Sequence, residues 1–135
     1  MPDTHSVLVV DDDVDIRAAL IDVLEDHGFE AVGAINGKDA LDKLRAAPEE
    51  EKPCLIVLDL MMPVMDGATF RDEQLKSPDL ASIPVVVVTA YRDIADQARM
   101  KITDFLRKPL NIDDLIAAVK RYCDPLATMP SPSPA

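Results

Sequence analysis

The chain has 135 residues, 48% of them hydrophobic, with two cysteines and a formal net charge of −11 at pH 7. That length suits one domain able to bury a core of its own. The acidic excess, 25 Asp and Glu against 14 Lys and Arg, argues against direct binding of nucleic acid, which needs basic patches for its phosphates, and suits cations or basic partners. Cys54 lies in an apolar run and Cys123 on a helix face, so two reduced thiols in a cytoplasmic protein are expected. The opening MPDTHSVLVV has no basic stretch ahead of a long apolar segment, so neither a leader nor a membrane span is expected.

Short apolar runs alternate with helical patterns. VLVV (7–10) reads as a first strand ending at Asp11. Residues 14–27 place Ile16, Leu20, Val23 and Leu24 on one helix face, and Gly28 is a good stop. FEAVGAI (29–35) is a second strand, and a helix over 37–47 carries Leu41 and Leu44 before Pro48. CLIVL (54–58) and PVVVV (84–88) are apolar at every position, the pattern of strands covered on both faces. Weaker helices span 67–76 and 93–100, and DFLR (104–107) is a short fifth strand. From 112 to 123, Ile112, Leu115, Ile116, Val119 and Tyr122 form the cleanest stripe in the chain. Strand and helix therefore alternate five times, which predicts a doubly wound α/β fold with helices on both faces of a five-stranded parallel sheet. The last segment, PLATMPSPSPA (125–135), has the Pro/Ser content of a disordered tail, so the expected folded domain is 1–124.

In open α/β sheets ligands bind beyond the carboxyl ends of the strands. Those ends carry Asp11-Asp12-Asp13, then Asp59, then Thr89, then Lys108-Pro109. In the strand order 2-1-3-4-5, four of the tips are contiguous and form one cluster of carboxylates, a hydroxyl and an ammonium. Two carboxylates about 4 Å apart repel by roughly 4 kcal/mol at an effective dielectric near 20. A hard divalent cation and a lysine relieve that repulsion. Mg²⁺ favours one or two carboxylates with waters and a phosphate oxygen. Asp59 then reads as a nucleophile that forms an acyl phosphate, with the metal, Lys108 and Thr89 stabilising the phosphoryl oxygens.

With these residues in place, the chain resembles the receiver domain of two-component response regulators. The matching elements are VLVVDDD, LIVLDLMMPVMDG, VVVVTA and FLRKP, in that order, and they cover nearly the whole chain from Ser6 to Cys123. The resemblance implies a flavodoxin-like fold. It implies that Asp59 is the phosphoacceptor, that Asp11 and Asp12 hold Mg²⁺, and that the backbone carbonyl of Met61 is a further metal ligand. It makes Thr89 and Phe105 the switch pair and Lys108 the phosphate-contacting lysine. The implied partner is a histidine kinase or histidine phosphotransfer protein, with no nucleic acid and no membrane, acting on a monomer or weak homodimer. The protein would not be an enzyme beyond its own phosphorylation and dephosphorylation. Met1 falls just before the first strand, so a stand-alone regulator is expected.

Each residue also has a simpler reading. Asp13 is best explained as a helix N-cap, which leaves the metal role to Asp11 and Asp12. An EF-hand over Asp11, Asp13 and Asp15 fails, because Ile16 replaces the turn glycine and Asp22 the final glutamate. An aspartyl phosphatase usually has a second Asp two residues after its nucleophile; Met61 stands there instead. The alternative kept open is a receiver-like module that signals without phosphorylation. Between Thr89 and Lys108 the chain is shorter than in similar domains, and Lys101 stands where a helix-ending glycine is expected. The fourth predicted helix, over 93–100, should therefore be short or irregular.

Overall fold

A computed structural model describes residues 6–48, 51–59, 67–89, 104–107 and 111–123. Strands β1 (Ser6–Val10), β2 (Glu30–Ala34), β3 (Leu55–Asp59), β4 (Val85–Thr89) and β5 (Asp104–Arg107) form one parallel sheet in the order β2-β1-β3-β4-β5. The described helices are α1 (Val14–Asp26), α2 (Gly37–Ala46), α3 (Gly67–Leu75) and α4 (Ile112–Cys123). The helix predicted over 93–100 and the tail over 125–135 lie outside the described residues.

Alternation along the strands sorts the core into two layers, because successive side chains point to opposite faces. Leu8, Val10, Ile56, Leu58, Val85 and Val87 pack with Leu41 and Leu44 of α2 and Phe70 of α3. Val7, Val9, Leu55, Val57, Val86 and Val88 pack with Leu24 of α1 and with Leu115, Ile116 and Val119 of α4. The apolar runs are uninterrupted because both faces of the sheet are covered.

Helix ends follow local chemistry. Gly28, at φ +89°, follows the C-cap of α1. Its N–H bonds the carbonyl of Glu25, and the N–H of Phe29 bonds the carbonyl of Leu24. This paired closure needs a left-handed residue, which glycine adopts without a Cβ clash. Asn36 caps α2 by accepting the Asp39 N–H at 2.8 Å, and Asn111 accepts the Asp114 N–H at 3.2 Å at the start of α4. Asp113 and Asp114 in the first turn of α4, with Lys120 and Arg121 in its last, match the helix dipole.

Two sequence expectations need correction. Ile16 is 38% exposed rather than part of the buried face of α1, where Leu24 is the buried residue. Ile112 likewise stays outside the buried stripe of α4 at 52% exposure. More consequential is the state of the cysteines. Cys54 and Cys123 are joined in a disulfide, with Cα atoms 5.7 Å apart and 69 residues between them in sequence. The expectation of two reduced thiols is therefore wrong. Cys54 sits just before β3, Cys123 ends α4, and folding brings these two ends together.

Candidate functional site

Because the sheet is parallel, the carboxyl ends of β1, β3 and β4 open on the same side. β1 stops at Val10 and the chain turns at once. Asp11 is 3% exposed, and its N–H extends the ladder to β2 by bonding the carbonyl of Ala34 at 3.1 Å. Its Oδ1 accepts the N–H of Asp13 at 2.9 Å. The Asp13 carboxylate accepts the N–H groups of Asp15 and Ile16 at 2.9 and 3.1 Å, so this third acid caps α1. Asp12 remains exposed at the turn. Asp59 is the last residue of β3, is 6% exposed and lies opposite Val88 of β4.

These placements bring three carboxylates together. One oxygen each from Asp11, Asp12 and Asp59 lies within 4.8 Å of the others. At that separation each ionised pair repels by about 3.5 kcal/mol or more for an effective dielectric near 20. Three such pairs inside a fold of ordinary stability need a counter-charge. The donor set is oxygen only, with two buried acids fixed by the sheet and one at the surface. That composition fits a hard cation that keeps several waters, as Mg²⁺ does, and does not fit a soft metal.

The comparisons with known proteins agree with this geometry. The family model described as "Response regulator receiver domain" matches residues 7–120. The chain belongs to the response regulator receiver family. It is similar to sporulation initiation phosphotransferase F of Bacillus subtilis, with 34% identity over 87% of this chain and 93% of that protein. An uncharacterized 14.6 kDa protein of Leptolyngbya boryana is 39% identical over 87% of this chain and 88% of its own. Among solved structures, the chemotaxis protein CheY4 of Vibrio cholerae aligns with a TM-score of 0.80 at 28% identity, over 88% of this chain and 98% of that one. The chain spans only 46% to 59% of the length of several transcriptional regulators it also matches.

Of the receiver residues expected from sequence, the described structure gathers Asp11, Asp12 and Asp59. The backbone of Thr89 ends β4 opposite Arg107, and that of Phe105 lies opposite Val87, but their side chains are outside the description. Met61 and Lys108 lie outside the described residues altogether.

One residue at the site was not anticipated. Arg17 Nη1 donates to the carbonyl oxygen of Asp11 at 2.7 Å. Its signal in the sequence is faint: a cation six residues beyond the acid, and a glycine at position 33 in the strand that pairs with β1. Nearby, Asp39 has its pKa lowered. Burial pushes it up, but the Ile35 N–H, the hydrogen bond and charge of Lys43, and the charge of Arg17 outweigh that effect.

Proposed function

We propose that the protein is a phosphoryl-accepting signalling receiver in which Asp59 takes a phosphoryl group from a phosphohistidine of a partner histidine kinase or phosphotransfer protein. The observation that carries this reading is the buried Asp59 carboxylate at a strand end, within 4.8 Å of Asp11 and Asp12. An Asp59 oxygen attacks phosphorus, a P–O bond forms and the P–N bond breaks. The imidazole nitrogen leaves with the bonding electron pair. Mg²⁺, when bound, supplies charge neutralisation at the phosphoryl oxygens. Asp11 and Asp12 would hold it together with Asp59 and the Met61 carbonyl, while Lys108 and Thr89 contact the phosphoryl group and Thr89 and Phe105 switch the surface near β4 and β5.

A protein donor is supported by the surface around the acids. Val14, Ile16 and Ile35 are exposed apolar side chains in the first turn of α1 and just after β2, at the end of the sheet that carries Asp12. Residues 1–124 would form the receiver and 125–135 a disordered tail. The proposed place of action is the cytoplasm. Among the described residues no helix is long and apolar enough to cross a membrane. A disulfide in that compartment has to withstand the thiol pool, and the burial of Cys123 limits access to it.

Incubation with acetyl phosphate and Mg²⁺, followed by intact-mass measurement, tests the reading. The parent should gain one phosphoryl group and Asp59→Asn none. A full-yield adduct on Asp59→Asn, or no adduct on the parent, would falsify the assignment. The second of these outcomes would favour a receiver-like module that signals without phosphorylation.

A further inference from the structure

Arg17 reaches the acidic site across β2. Its guanidinium donates to the main-chain carbonyl of Asp11. Its stem lies over Gly33, where an added Cβ would meet Arg17 Cδ at 2.9 Å, Arg17 Cγ at 3.2 Å and Ile21 Cδ1 at 3.1 Å. Gly33 has no positive φ to explain it, since Gly28 alone is recorded there among the described glycines. The need at position 33 is space. The Arg17 stem cannot swing away cheaply, because it is fixed at the helix backbone on one side and at the Asp11 carbonyl on the other. Asp11 is thereby held at three points: its N–H by Ala34, its Oδ1 by the Asp13 N–H and its carbonyl by Arg17.

We propose that Arg17, seated in the gap left by Gly33, is a positioning residue that fixes Asp11 for cation binding. The proposal rests on the reading of Asp11 as a Mg²⁺ ligand. It has a feature that separates it from bulk electrostatics. A guanidinium near a cation site repels the cation, so on charge alone its removal tightens Mg²⁺ binding. On the positioning account its removal weakens binding, as loss of a partner that orients a ligand commonly does by about 10-fold or more.

Mg²⁺ titration calorimetry on the full chain, with the thermal midpoint recorded in parallel, decides between them. Arg17→Met should raise the Mg²⁺ dissociation constant about tenfold, and Arg17→Lys should recover part of that loss. Gly33→Ala leaves the arginine chemically intact but displaces its stem, and should produce a comparable loss. Combined with Arg17→Met it should add little. Unchanged or tighter binding in both single variants, or fully additive losses in the double variant, overturns the proposal. A purely structural role would lower the midpoint and leave the dissociation constant alone, which also overturns it. Asp12→Ala is the control for the underlying reading. If it binds Mg²⁺ as the parent does, the ion is not at the acids and the site assignment fails instead.

Discussion

The two ends of the sheet are built on opposite principles. At the amino end every strong feature closes the structure. The disulfide joins the start of β3 to the end of α4, and the Cys54 N–H bonds the carbonyl of Ser6 at 2.9 Å. Gln74 of α3, fully buried, donates to the carbonyls of Leu80 and Ile83 at 2.9 and 3.0 Å and accepts from Arg71 Nη1 at 2.6 Å. At the carboxyl end three acids converge, and apolar side chains face solvent. Stability is concentrated at one end and chemistry at the other. A substitution at the amino end should therefore cost folding free energy and spare the site, and the reverse should hold at the carboxyl end.

The largest test of that division is the disulfide. Closing a loop with 69 residues of separation removes about 4 kcal/mol of unfolded-chain entropy on the chain-entropy account. The Cys54→Ser, Cys123→Ser double variant, or the reduced protein, should lose stability on that scale in urea. Its Mg²⁺ dissociation constant should not move. If reduction leaves the urea midpoint where it was, the amino end is not the anchor described here. Gln74→Leu comes next. It takes the side-chain donor from the Ile83 carbonyl and the acceptor from Arg71, while the Leu80 carbonyl keeps the N–H of Ile83 at 3.1 Å. Burial already disfavours the charged Arg71 guanidinium and lowers its pKa. Each unsatisfied buried polar group costs about 1–3 kcal/mol, so a total loss of about 3 kcal/mol is expected. Acetyl-phosphate labelling at equal folded concentration should still match the parent, and a loss of labelling there would break the comparison.

Effects at the carboxyl end should be smaller and opposite in sign. Without Mg²⁺, Asp59→Asn removes one member of a repelling trio, so its thermal midpoint should rise above the parent's. With Mg²⁺ the order should narrow, because the parent alone gains from the ion. Linkage gives about 2.7 kcal/mol at a hundredfold excess over the dissociation constant, and less at ordinary millimolar levels. Asp12→Ala should lose this Mg²⁺-dependent gain. A parent whose midpoint ignores Mg²⁺ across that range would remove the electrostatic half of the contrast.

Much of this was legible in the sequence because it is local. The continuous runs VLVV, LIVL and VVVV have the pattern of strands covered on both faces, and Gly28 and Asp13 mark helix ends by their own chemistry. The acids could be grouped because parallel strands put all their carboxyl ends on one side. What escaped is non-local or disguised. Nothing near Cys54 announces Cys123, since their meeting depends on where α4 ends relative to β3. Gln74 looks like an ordinary polar helix residue, and its burial depends on how the segment between α3 and β4 folds back over it. Arg17 is legible only once β2 is known to lie beside β1, with Gly33 beneath the arginine stem.

The smallest effect sharpens the comparison, because it concerns a stabilising acid at the chemical end. Asp39 Oδ2 accepts the N–H of Ile35 at 3.0 Å, while Asn36 accepts the N–H of Asp39, so the two side chains satisfy backbone donors reciprocally at the start of α2. Such caps are worth about 1 kcal/mol. Asp39 has Lys43 beside it, at 3.3 Å. Its folded pKa is lowered, so folding is favoured when it is ionised. Its contribution is therefore present above the unfolded carboxylate pKa of about 3.9 and is lost as pH falls through the lower, folded value. Asp39→Asn should cost about 1 kcal/mol at pH 7 and progressively less below about pH 4. Urea midpoints of Asp39→Asn against the parent from pH 7 down to about pH 3 decide it. If the penalty of Asp39→Asn grows toward low pH, the carboxylate at position 39 is not the favoured folded form, and the stabilising role given to this acid is wrong.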